Sequence, residues 1–196
     1  MIRFITDFAD QGDILPVVAT VAAVMVWREW RRGASVWLVT VVLTLALMLV
    51  LKIMGLYYAV FMQARVFSPS GHVASACLVY GSLLIMMGRE AFIGLPTLTM
   101  LPLMFVAAVM AYTRLVLHAH TVSEVVTGAM IGSIAAVVLG FKCGPVPRAL
   151  WVYLLPALVG SAFLFHGWHL GAEAAIRHLV LSQAASASHF MHDRLV

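Results

Sequence analysis

Residues 33–51, 66–88, 91–113, 125–141 and 149–172 contain no Asp, Glu, Lys or Arg. These runs are 19, 23, 23, 17 and 24 residues long. A helix needs roughly 20 apolar residues to cross the hydrocarbon of a bilayer. Backbone in hydrocarbon must satisfy its own hydrogen bonds, so such runs can cross only as helices or as a closed barrel. The runs are helix-length and far too long for barrel strands of about 10 residues. A further apolar run, residues 14–27, is 14 residues long and reaches spanning length only if Arg28 snorkels. Composition agrees, with 63% hydrophobic and 10% charged residues, against about 25% charged in soluble domains. A soluble domain and a disordered chain are both excluded. The expectation is an all-α, integral membrane six-helix bundle in a single domain. Its spans lie at about 14–30, 33–58, 70–88, 92–114, 122–141 and 149–170.

Charge decides orientation. Arg28, Arg31 and Arg32 lie between the first two spans, Arg89 between the third and fourth, and Lys142 and Arg148 between the fifth and sixth. Alternating spans put all of these on one side, which the positive-inside rule makes cytoplasmic. Both termini and the links near 64–71 and 114–124 then face the opposite side, the periplasm in a bacterium. The start, Met1–Asp13, has three aspartates and one arginine. That is the wrong charge for a cleaved signal peptide. The tail, residues 173–196, reads as a short interfacial amphipathic helix followed by a loose linker. The net charge of +4 comes without a basic block, so no nucleic-acid partner is expected. Cys77 and Cys143 read as packed thiols. Gly128 and Gly132 form a G-x-x-x-G step, expected to serve packing within the chain, with a homodimer left open.

Ionisable groups in or beside spans are costly and mark functional sites by default. Here Lys52, the stretch Ser68–His72 (SPSGH), Arg114, and His118, His120 and Glu124 all fall toward the non-cytoplasmic side. Their chemistry converges on an oxyanion. Pro69-Ser70-Gly71 opens a helix whose first amides and dipole suit phosphate. Gly71 permits close approach, and Ser70 adds a hydroxyl. Arg114 can grip phosphate oxygens, and Lys52 can add a point charge. His120 and Glu124, four residues apart, share one helical face, so the carboxylate can fix one imidazole nitrogen and leave the other to attack. His72 is available as the acid.

At these residues the chain resembles the type 2 phosphatidic acid phosphatases, which share their fold with the vanadate haloperoxidases. That family carries K-x6-R-P, then P-S-G-H, then S-R-x5-H-x3-D. Pro69-Ser70-Gly71-His72 matches the second part in full. Thr113-Arg114, five residues, His120, three residues and Glu124 keep the third part's spacing, with Thr for Ser and Glu for Asp. Lys52 stands at the first part, but Ala59-Val60 replace Arg-Pro. The resemblance covers roughly residues 50–128 and implies a phosphatase site at one membrane face. It makes His120 the nucleophile, His72 the acid and Glu124 the orienting group. It gives phosphate binding to Arg114, Lys52, Ser70 and Gly71, with no metal and no cofactor. Arg65 is the candidate replacement for the missing arginine.

The expected activity is hydrolysis of a phosphorylated lipid through a phosphohistidine, at the periplasmic face of a bacterial inner membrane. A monoester fits the reduced positive charge better than a diphosphate. Two alternatives stay open: a lipid-to-lipid phosphotransferase, and a non-catalytic phospholipid-binding or transport protein of the same fold. A haloperoxidase ranks last. His118 matches no motif position. His166, His169, His178, His189 and His192 read as structural or interfacial rather than metal ligands.

Overall fold

The computed structural model describes residues 1–91, 96–147, 149–171, 174–176 and 178. Among these it is helical, with no strand. A short α1 (Ile2–Asp7) precedes α2 (Gln11–Trp27) and α3 (Arg31–Met62). Next, α4 (Gly71–Ala76) runs through a π-helical turn, Cys77–Gly81, into α5 (Ser82–Ala91). Then come α6 (Pro96–Val116), α7 (Val122–Lys142) and α8 (Leu150–Leu164). The expected tail helix falls almost wholly outside the described residues, as do Arg148, His189 and His192.

Among the described residues, four helices are long and apolar enough to cross a bilayer: α3, the continuous rod Gly71–Arg89, α6 and α7. Six spans were expected. The other two rods, α2 and α8, have 17 and 15 residues, about 26 and 22 Å at 1.5 Å per residue. Local chemistry sets where each begins or ends. Asp10 caps α2, its Oδ1 accepting from Gly12 N at 2.9 Å, so the chain turns there. The last apolar run was expected to stay helical to about residue 170. It leaves the helix at Phe165, and Gly167 takes a left-handed φ of 82° two residues later. The two short rods pack chiefly on one another, and α2 also lies on α3. In α3, 32 residues reach about 48 Å, more than a bilayer core requires. It ends at Gln63 in the left-handed region.

The rod from Gly71 to Arg89 is the centre of the bundle. Its window is 72% buried, against 22–33% for the other three long helices, which show their apolar sides outward. Leu78, Ile85 and Met86 are fully enclosed on it. Lipid tails are as apolar as leucine, so close packing rather than hydrophobic burial must hold such helices together. The G-x-x-x-G step supplies that closeness within the chain, as expected. A Cβ on Gly128 would stand 2.4 Å from the Ser70 carbonyl oxygen, and one on Gly132 2.3 Å from that of Ala74. Thus α7 lies backbone to backbone on α4.

The two ends differ in chemistry. At one end, Arg28 lies 4.6 Å over the Tyr153 ring and Arg89 lies 4.8 Å over Phe141. Arg89 also donates to the Gly140 carbonyl. At the other end, the segment from α1 to Asp10 is tucked between helices. Ser75 Oγ donates to the Ala9 carbonyl at 3.1 Å, and Tyr80 OH donates to that of Phe8 at 2.8 Å. Ser75 and Tyr80 lie about one and two and a half turns along the central rod, so this segment sits inside the bundle's mouth. Sequence reading left Met1–Asp13 as an extramembrane start and missed both α1 and this insertion.

Candidate active site

The link from α3 to α4, residues 64–70, forms a strap across the mouth. Its placement depends on the carboxylate of Glu124. Thr121 caps α7, and Thr121 and Glu124 make a reciprocal capping box. Glu124 N donates to Thr121 Oγ1 at 3.4 Å, and Thr121 N donates to Glu124 Oε2 at 2.8 Å. The same Oε2 lies 3.4 Å from His120 Nδ1. Oε1 accepts from the strap, at Ser68 N, at 2.7 Å. Ser70 N donates to the Glu124 carbonyl at 3.0 Å. Glu124 therefore caps a helix, ties down the strap and sets one side of an imidazole. Glu124 is thus both a helix-start carboxylate and a histidine neighbour.

Two cavities flank the strap. One, of about 370 Å³, is lined by Arg65, Val66, Ser68, His118, Ala119, His120, Thr121 and Glu124. His120 and Glu124 side chains are nearly enclosed, at 5% and 9% exposure. His120 turns Nδ1 toward Glu124. Arg65 lines the same space. His118, which matched no motif position, lines it too, in a left-handed turn with φ of 50°.

The second cavity, of about 180 Å³, includes Asp10, Lys52, Gly71, His72 and His169 in its lining. Lys52 is buried on α3. A Cβ on Gly71 would stand 3.9 Å from Lys52 Nζ, so the glycine keeps the α4 start open toward that ammonium. Asp10 Oδ2 lies 3.5 Å from His72 Nε2 and 3.3 Å from His169 Nδ1. Burial alone would raise the Asp10 pKa. Hydrogen bonds from His72, Gly12 N and His169 outweigh it and hold the carboxyl below its ordinary range.

The expected site residues thus divide. His120, Glu124 and Arg65 share one cavity, and His72, Lys52 and Gly71 share the other. Ser70 joins them through the backbone. Its side chain is fully buried, and its Oγ has no hydrogen-bond partner among the described residues. Arg114 lines neither cavity, and its guanidinium donates to Thr6 Oγ1 on α1 at 3.2 Å. The hydroxyl of Thr113 turns back to the Met110 carbonyl at 2.8 Å. Asp10 and His169 were not anticipated. The helix-cap signal of Asp10 was legible, but its approach to His72 spans 62 residues of chain. The His166 ring packs against Phe4 and Phe8, its centroid 4.3 Å from each and tilted to both. Among the described residues, no three His, Cys, Asp or Glu side chains are grouped as metal ligands.

Comparison with known proteins bears on the same part of the chain. A protein of Klebsiella pneumoniae, described as an uncharacterized 22.5 kDa protein in the cps region, is 27% identical over 133 residues. The aligned stretch spans 67% of this chain and 64% of that protein. No solved structure matches. The family model described as PAP2 superfamily matches residues 54–143, a segment that starts just after Lys52 and takes in the strap, both histidine motifs and the helices that hold them.

Proposed function

We propose that this chain is a PAP2-type membrane phosphatase that hydrolyses the phosphate monoester of a lipid head group through a phosphohistidine. The observation that carries this reading is the His120–Glu124 pair, enclosed beside Arg65 at one end of a membrane-type bundle. A carboxylate on Nδ1 fixes the tautomer that exposes Nε2 as a nucleophile. Binding alone needs no such pair.

In this reading the phosphoryl group seats against the strap, between the two cavities. Lys52, Arg65 and the Gly71 amide stabilise its oxygens, and Arg114 joins them on leaving Thr6. His120 Nε2 attacks phosphorus, and the bond from phosphorus to the lipid oxygen breaks. His72 gives a proton to that oxygen. Water then attacks the phosphohistidine, the P–N bond breaks, His72 recovers a proton from the water, and inorganic phosphate leaves. α2 and α8 complete a six-pass arrangement with the site facing the periplasm, where a lipid tail remains in the bilayer.

The test is phosphate release by purified protein from a panel of lipid mono- and diphosphates, with EDTA present. Wild type is expected to release phosphate, best from a monophosphate. His120→Ala and His72→Ala should each lose at least about a hundredfold, the usual contribution of a nucleophile or general acid. Release from no lipid, or release retained in both variants, sinks the reading.

A further inference from the structure

We propose that Asp10 is a positioning residue for His72, holding the ring so that Nδ1 is the nitrogen that gives the proton to the leaving oxygen. The inference rests on the phosphatase reading above and adds a second carboxylate–imidazole pair to it. Nothing in the two histidine motifs assigns Asp10.

The geometry of the carboxylate carries the argument. One oxygen, Oδ1, completes the α2 cap by accepting from Gly12 N. The other, Oδ2, is not needed for that cap. Yet two imidazoles converge on it, His72 Nε2 at 3.5 Å and His169 Nδ1 at 3.3 Å. Asn caps a helix as well as Asp does, so capping alone does not call for the charged side chain. An anionic acceptor on Nε2 keeps the proton there in the neutral ring. The second proton of the imidazolium is then the one on Nδ1, and that is the proton available to transfer. Asp10 keeps its hydrogen bond throughout and is not itself protonated.

Other charged groups lie near α4, and buried Asp13 on α2 lies toward Tyr80. Asp7 reaches His169 at 4.0 Å. Glu124 on α7 is held by Ser68 and Thr121, and Arg114 on α6 donates to Thr6. Lys52 on α3 shares the cavity but cannot accept a hydrogen bond. Asp10 is thus the acceptor that His72 meets.

Asp10→Asn separates the two tasks, because an amide oxygen can still cap α2 while the amide nitrogen replaces the acceptor. Imidazole 15N shifts of His72, assigned through His72→Ala, report the tautomer without any turnover. Wild type should show a single Nε2–H tautomer; Asp10→Asn should show the Nδ1–H form gaining, and Asp10→Glu should restore the wild-type pattern. In kinetics, Asp10→Asn should lower kcat on an alkyl phosphate by about 10- to 100-fold, part of what a general acid contributes. KM should barely move. The loss should be several-fold smaller on p-nitrophenyl phosphate, whose leaving group needs little protonation. Asp7→Asn is the control and should leave kcat in place. An unchanged His72 tautomer in Asp10→Asn, or equal losses on both esters, overturns the proposal while wild-type phosphate release keeps the phosphatase reading. No release by wild type overturns both.

Discussion

Glu124 answers a question the sequence raised, namely what an extra methylene does where the resembling family carries Asp. The longer side chain reaches two ways at once, to the capping box and His120 with Oε2 and to Ser68 N with Oε1. Glu124→Asp should keep the cap but lose the strap bond, worth about 1 kcal/mol net. Activity should fall through KM as the phosphate seat loosens, and kcat should fall less. Glu124→Gln should do the reverse, lowering kcat by about a hundredfold or more, because an amide does not enforce the imidazole tautomer. Steady-state kinetics beside thermal melts in detergent separates the two. Asp10 has a signature of its own. Its carboxyl is held below the usual range, so its pairing stabilises the fold fully above about pH 4 and fades as acid protonates it. The melting temperature of Asp10→Asn should trail wild type at pH 7 and converge with it in strong acid. The closeness of His120 and Glu124 was legible in their spacing, but not its cause: His120 stands in the bend before α7 and meets Glu124 across the helix start, not on the shared helical face that the sequence suggested. Asp10 and His169 were not legible, because their meeting with His72 depends on tertiary folding and leaves no trace in local spacing.

At the scale of elements, the candidate site is a problem of backbone proximity. The strap can lie on its neighbours only where side chains are missing. Gly55 of α3 faces the Phe67 carbonyl, where a Cβ would stand 1.9 Å away, and Gly128 faces that of Ser70. Gly128→Val should push α7 off α4, costing about 1–3 kcal/mol as overpacking does, and should displace Ser70 and Gly71 with it. Phosphate release should fall more than the melting temperature implies. Equal activity at a lowered melting temperature would show that the strap tolerates the shift. The G-x-x-x-G spacing announced a close helix contact, and the contact lies within the chain. The lengths of α2 and α8 were harder to read. An apolar run marks where a helix is permitted in lipid, whereas a cap at Asp10 and a left-handed Gly167 decide where it stops. The π-helical turn at Cys77–Gly81 has no sequence cue that we can name.

At the scale of the molecule, the two ends of the bundle carry opposite chemistry. One end gathers Arg28, Arg31, Arg32, Arg89 and Lys142, with Tyr153 and Phe141 beneath two of the guanidiniums. The other gathers the inserted N-terminal segment, the strap, the turn before α7 and the segment after α8, joined by Asp10, His72 and His169. The proposed topology, which follows the positive-inside rule, has the arginine end in the cytoplasm and the histidine end in the periplasm. Cysteine labelling in intact bacterial cells decides this. Cys77 and Cys143 are buried and should stay silent toward an impermeant maleimide. Ala119→Cys, on the exposed turn before α7, should label without permeabilisation. Ala149→Cys, exposed before α8 at the arginine end, should label only after the membrane is opened. The reverse pattern would turn the molecule over. It would place the strap and both imidazoles at the cytoplasmic leaflet, and the substrate would then have to be a lipid phosphate presented there.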